Sequence, residues 1–220
     1  MKEIEVRVAW DVRVFLLKVM EACPEFDIYL GGGYLRDSYY AMKNNTFFEP
    51  KDVDIFFVPK DGVEKSVPVG AAEETFVKYH KDASDISDME ERGVSSLTGL
   101  SVHYLSTKEV QFIVYKKHMT QKQLVVDMDM NINQIMWKPT EFGCAVLVSG
   151  EFISGHEDQE IKCLHVYDET RTYHRYERMK ELFPKYKVTG QPSEPVNKSR
   201  IGGTSYRGSV ACYDDYDDTM

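Results

Sequence analysis

The chain predicts an α+β fold, a mixed β-sheet flanked by helices. Three observations predict it. Phe26-Asp27-Ile28-Tyr29-Leu30 reads as a short strand that runs into a glycine turn, and residues 34–43 then read as a helix. Asp52-Val53-Asp54-Ile55-Phe56-Phe57-Val58 is an apolar strand entered by two acids one residue apart, so both acids leave the same face. The apolar period also switches along the chain. Val8, Val12, Phe15, Leu16, Val19 and Met20 recur at helical spacing, whereas Val110–Tyr115 alternates.

Taken in order, residues 8–22 form the first helix, which Pro24 ends. Strand 26–30, helix 34–43 and strand 52–58 follow. Pro59, Gly62, Pro68, Gly70, Gly93 and Gly99 punctuate 59–99, an acid-rich and loop-rich insertion with a helix over Ala72–His80. Leu100–Tyr104 and Val110–Tyr115 are expected to pair as a hairpin through Ser106-Thr107-Lys108-Glu109. Thr120 caps a short helix through Val126. Phe142–Val148 reads as a strand, and a loop with His156, Cys163 and His165 follows it. A zinc site there lacks a fourth ligand, and the spacing matches no standard site. Residues 169–183 are a helix with a basic stripe of Arg171, Arg175, Arg178 and Lys180. The organisation expected is a main domain over 1–167 and a helical segment over 168–189 (the head and neck of the family resemblance given below), then a flexible acidic tail over 190–220.

At 220 residues the chain is long enough for one domain with a real core. A formal net charge of −9 argues against general affinity for nucleic acid, and double-stranded DNA is not an expected partner. Cys23, Cys144, Cys163 and Cys212 are scattered without Cys-x-x-Cys spacing, which reads as reduced and cytoplasmic. No apolar run approaches the ~18 residues of a membrane span, and Met1-Lys2-Glu3-Ile4-Glu5 is not a targeting segment.

The chemistry concentrates at Gly32-Gly33-Tyr34-Leu35-Arg36-Asp37 and at Asp52 and Asp54. Two carboxylates on one strand face repel unless a cation lies between them, and a site with few protein oxygens suits Mg²⁺. Glycine backbone approaches a polyphosphate closely and aims its N–H groups at it. An isolated Asp-x-Asp or Gly-Gly is usually a turn. Here the acids alternate with buried-type residues, and ionised carboxylates are rarely buried without a partner. A phosphate cradle beside paired carboxylates is the apparatus of nucleotidyl transfer.

These residues resemble the polymerase β-like nucleotidyltransferase superfamily, in particular the head domain of class II CCA-adding enzymes and bacterial poly(A) polymerases. That head carries Gly-Gly-x-Val-Arg-Asp, a helix, then Asp-x-Asp on a strand; Leu35 replaces the valine here. A second segment, Asp129-Met130-Asn131-Ile132-Asn133-Gln134, is similar to the family's Asp-Phe-Thr-Ile-Asn-Ala at Asp129, Ile132 and Asn133. The two motifs lie in the family's order, about 75 residues apart, and the resemblance covers residues 26–137.

The resemblance implies a Mg²⁺-dependent nucleotidyltransferase that moves a nucleoside monophosphate from an NTP to an acceptor and releases pyrophosphate. The acceptor is an RNA end, a protein side chain or a small molecule. Asp52 and Asp54 are the implied catalytic and metal-binding residues, with two Mg²⁺ ions. Gly32 and Gly33 present backbone N–H groups to the phosphates. Arg36 either neutralises phosphate or pairs with Asp37 or Glu49. Asp129 has an accessory role through Mg²⁺ or the ribose; Asp127 shares its face if the segment is extended, and otherwise reads as a solvated acid. Asn133 contacts sugar or base, or else satisfies buried backbone. Arg175 and Arg178 either reach the triphosphate or form an exposed face paired with Glu177 and Glu181. Gln111 stands where a third carboxylate would be sought. The chain also departs from the pattern. Val126, Asp127 and Met128 precede Asp129 in place of an Arg-Arg pair, and Arg171 and Thr172 stand where the neck acids belong. The resemblance is not expected to extend to the family's long tRNA-binding region. The resemblance therefore supports catalysis but not CCA addition. The alternative is a catalytically inactive relative that binds nucleotide or a partner.

Overall fold

The computed structural model describes residues 1–47, 52–61, 76–79, 109–115, 118–140, 145–166 and 169–194. The order is β1 (Lys2–Glu5), α1 (Trp10–Ala22), β2 (Phe26–Gly31), α2 (Gly32–Asn44), β3 (Asp52–Pro59), β4 (Phe76–Tyr79) and β5 (Glu109–Tyr115). Then come α3 (Gln121–Val126), a 3₁₀ turn (Asn131–Asn133), β6 (Ile135–Met136), β7 (Ala145–Val148) and α4 (Gly150–Glu157). The described part closes with β8 (Glu160–Lys162), α5 (Glu169–Leu182) and β9 (Lys187–Thr189). None of these helices is long and apolar enough to cross a membrane.

The main sheet has the order β2-β3-β5-β4, with β3 and β5 parallel and the outer pairs antiparallel. A second sheet, β1-β7-β6, joins it where Leu30 and Trp137 exchange two backbone hydrogen bonds of 2.9 Å each. The two sheet faces divide by strand alternation. Ile28, Leu30, Val53, Ile55 and Phe57 pack under α1 and α2 with Val12, Phe15, Leu16, Val19 and Leu35. Tyr29, Phe56, Val58, Ile113 and Tyr115 pack on the opposite face with Leu124 and Val125 of α3. Asp52 and Asp54 belong to this second face. Helices therefore cover both faces. A third cluster gathers Met130 and Ile132 against Ile161, Tyr176, Met179 and Phe183, which docks α5 onto the segment that carries the second motif.

Local chemistry sets the helix ends. Asn45 terminates α2 in the left-handed region at φ 50°, with its N–H on the Ala41 carbonyl. Thr120 and Gln123 form a reciprocal capping box at α3. Ser149 Oγ accepts the Phe152 N–H at 2.9 Å to open α4.

Three expectations change. Residues 76–79 are a strand, not part of a helix: Phe76-Val77-Lys78-Tyr79 pairs with the edge that β5 offers, from Phe76 opposite Tyr115 to Tyr79 opposite Phe112. Tertiary pairing decides a short apolar run that periodicity leaves ambiguous. The rest of 72–80, and the hairpin arm at 100–104, lie outside the described residues. His156 is on α4 rather than in a loop, and residues 160–162 form a strand. Asp127 and Asp129 do not share an extended segment: Asp127 is the exposed C-cap of α3, while Asp129 is buried.

Candidate functional site

The turn from β2 into α2 lies directly against the acids of β3. Antiparallel pairing sets Gly31 opposite Asp54, so the next residue must turn over the Asp54 side chain. Gly32 does this at φ +67°, and a Cβ there would overlap the Asp54 carboxylate. Only glycine satisfies both the dihedral and the contact. A Cβ at Gly33 would stand 3.4 Å from Arg36 Nη2 and 3.9 Å from both Asp37 Oδ2 and Asp52 Oδ1. Gly32, Gly33, Asp52 and Asp54 are thus one cluster, with the first turn of a 13-residue helix beside two partly exposed carboxylates.

A second cluster adjoins it. Arg36 is 5% exposed and donates Nε to Asp37 Oδ1 at 2.6 Å and Nη2 to Asp37 Oδ2 at 3.0 Å. Its Nη1 donates to Asn133 Oδ1 at 3.0 Å and lies 3.2 Å from Met179 Sδ, and the guanidinium sits 5.3 Å from the Phe183 ring centre. Asn133 passes the connection on, its Nδ2 donating to Asp129 Oδ1 at 3.3 Å. Asp129 Oδ2 meets Arg175 Nη1 at 2.5 Å. Two cations and two anions alternate along this chain, so its buried charges balance, as burial of ions requires. It ties α2, the 3₁₀ turn and α5 together.

The candidate residues have the following partners in the fold. Arg36 pairs with Asp37, and most of its donors are engaged. Asn133 serves two charged side chains rather than backbone. Arg175 pairs with Asp129 and not with Glu177, which holds Lys180 at 2.7 Å and Gln191 at 2.5 Å instead. Arg178 is exposed on α5, and the contacts joining the other residues do not include it. Met179 and Phe183, which cover Arg36, were not singled out from sequence; their helical spacing with Tyr176 was the available signal. Parallel register sets Gln111 opposite Asp54 and Glu109 opposite Asp52.

The residues fit Mg²⁺ in kind. Among the described residues no group of three or more His, Cys, Asp or Glu gathers to hold a metal. Two carboxylates beside a phosphate-accessible turn are what an ion completed by water and substrate oxygens needs. His156, Cys163 and His165 go to separate partners. His156 Nδ1 meets Tyr186 Oη at 2.9 Å, Cys163 Sγ points to the His165 carbonyl, and His165 Nε2 meets the Val126 carbonyl at 2.9 Å. Burial, with Arg36 and Lys43 adding to it, lowers the His156 pKa to about 4.

No family model and no curated protein matches the chain. Solved structures do. A CCA-adding enzyme in complex with CTP superimposes with a TM-score of 0.53 at 14% identity, over 86% of this chain and 44% of its own. The Thermotoga maritima CCA-adding enzyme complexed with tRNA gives 0.52 and 14%, over 86% and 43%. A tRNA-processing enzyme in an apo form gives 0.52 and 14%, over 86% and 46%. The chain spans a little under half the length of each, and at this identity the likeness is one of fold: the structure is similar to the head portion of class II CCA-adding enzymes.

Proposed function

We propose that this chain is a Mg²⁺-dependent nucleotidyltransferase that transfers a nucleoside monophosphate from an NTP to an RNA end, a protein side chain or a small molecule. The observation that carries the proposal is the left-handed Gly32 pressed against the Asp54 carboxylate. It brings a phosphate-binding helix start and a same-face acid pair into contact. The fold shared with a CTP complex and a tRNA complex of CCA-adding enzymes supports it.

In this reading residues 1–167 are the catalytic head, 168–189 the neck and 190–220 a tail, in a cytoplasmic protein. Asp52 and Asp54 hold Mg²⁺, with two ions in the loaded site. When bound, the metal neutralises phosphate charge and lowers the pKa of the acceptor hydroxyl. The N–H groups of Gly32 and Gly33, at the positive end of α2, receive the β- and γ-phosphates. The acceptor hydroxyl gives its proton to solvent as its oxygen bonds to the α-phosphorus, the bond from that phosphorus to the bridging oxygen breaks, and pyrophosphate leaves. Most of the protein's contribution is positioning. Arg36 and Asn133 hold the turn and the Asp129–Arg175 pair in place beside it. Arg175 and Arg178 approach from the α5 side.

A second reading, an inactive nucleotide- or partner-binding module, is favoured by one observation: a neutral amide, Gln111, stands opposite Asp54. Transfer of α-³²P label from each NTP to RNA, protein and metabolite pools in Mg²⁺ separates the two. Label should appear with the native chain and vanish in Asp52→Ala and Asp54→Ala, both of which should fold. Undiminished transfer in either variant refutes the metal-site assignment. Nucleotide binding without transfer to any pool supports the second reading.

A further inference from the structure

Asp54 has different neighbours on its two sides. Toward β2 it faces glycine and the opening of α2. Toward β5 it faces Gln111, its register partner in a parallel ladder, and register partners project from the same sheet face. Gln111 is only 8% exposed and its Oε1 is buried, so it is an interior neighbour of the acid pair and not a surface group. Farther along that face the partners are Phe56 and Ile113, both buried and apolar. Gln111 is therefore the last polar side chain of β5 before the apolar layer closes beneath the site.

An amide in this place has a definite electrostatic consequence. Its oxygen is a hard donor that a divalent cation accepts, but it adds no charge, and cation affinity rises with the number of charged ligands. We infer that Gln111 is a positioning residue of the cation site: its amide oxygen faces the same ion as Asp54, and its neutrality keeps affinity low until a triphosphate supplies anionic oxygens. Metal and nucleotide then bind as a strongly coupled pair, and by linkage each raises the affinity of the other by the same factor. The inference rests on the proposed metal-binding role of Asp52 and Asp54 and says how that site is tuned.

Mn²⁺ binding to the full chain, followed by electron paramagnetic resonance of the free ion, tests it with no turnover needed. The titration is run with and without a non-hydrolysable ATP analogue. In Gln111→Glu, Mn²⁺ affinity without nucleotide should rise about tenfold or more, and the nucleotide-induced gain should shrink. In Gln111→Leu, which fits the buried wall without a donor, affinity with nucleotide should fall severalfold. Asp54→Asn should lose Mn²⁺ in every background. If both Gln111 variants bind within about twofold of the native chain while Asp54→Asn loses the ion, the Gln111 inference is overturned and the acid-pair reading stands. If Asp54→Asn binds Mn²⁺ normally, the acid-pair reading falls and takes this one with it. Circular dichroism identifies any variant that misfolds; should Gln111→Glu do so, the Gln111→Leu titration decides alone.

Discussion

Replacing Asn133 with leucine should destabilise the protein far more than the loss of one uncharged side chain suggests. Asn133 is 2% exposed and bonds to charged groups at both ends, accepting from Arg36 at 3.0 Å and donating to Asp129 at 3.3 Å. Leucine fills a similar volume and makes neither bond. A hydrogen bond to a charged group contributes about 1.5–3 kcal/mol, and the longer bond to Asp129 belongs at the low end. Arg36 keeps Asp37 and Asp129 keeps Arg175, so no ion loses its counter-charge. The expected cost is therefore about 3 kcal/mol, which for a chain of this length lowers the melting temperature by about 6–12 °C. Asn133→Asp provides the contrast. It preserves the acceptor for Arg36 but sets a carboxylate against Asp129, so its deficit should shrink as pH falls into the carboxylate range. Thermal melts followed at 222 nm, with urea midpoints as a check, measure both. An Asn133→Leu melt within about 1 °C of the native chain would show that the network does not hold α5 to the glycine turn.

Further outcomes follow from the same geometry. Gly32→Ala should lose about 1–2 kcal/mol from the left-handed backbone alone and more from the Asp54 overlap; Gly33→Ala, with ordinary clearances of 3.4–3.9 Å, should melt like the native chain. Equal stability of the two in a denaturant titration contradicts the turn geometry. His156 has a folded pKa of about 4 against an ordinary 6.5. Its contribution is therefore complete above pH 6.5 and is lost as pH falls toward 4, because the unfolded chain takes up the proton first, by about 3 kcal/mol across the window. His156→Phe, which suits the Tyr39, Phe152 and Tyr186 rings around it, should flatten that acid limb; an unchanged limb refutes the assignment. If residues 168–189 are the neck proposed above, Arg171 and Thr172 offer the incoming base no acidic acceptor, so single-turnover assays with all four NTPs should show weak or differently based discrimination. Ordered C, C, A addition to a truncated tRNA would refute this.

Short-range chemistry was legible in the sequence. The alternation that puts Asp52 and Asp54 on one face, the glycines at the strand–helix turn, the Thr120 cap and the apolar stripe of α1 each follow from dihedral limits and side-chain periods acting within a few residues. Those rules hold wherever the segment ends up, so the fold class and the core of the candidate site could be read directly. Partners distant in the chain could not. Nothing local tells Phe76–Tyr79 that β5 will offer an open edge, or His156 that it will sit on a helix among three aromatic rings. Arg36 meets Asn133 across 97 positions and Met179 across 143, and Arg175 finds Asp129 rather than the nearby Glu177. The tertiary structure decided these because a buried charge takes whichever counter-charge burial leaves within reach, and that depends on how the whole chain packs.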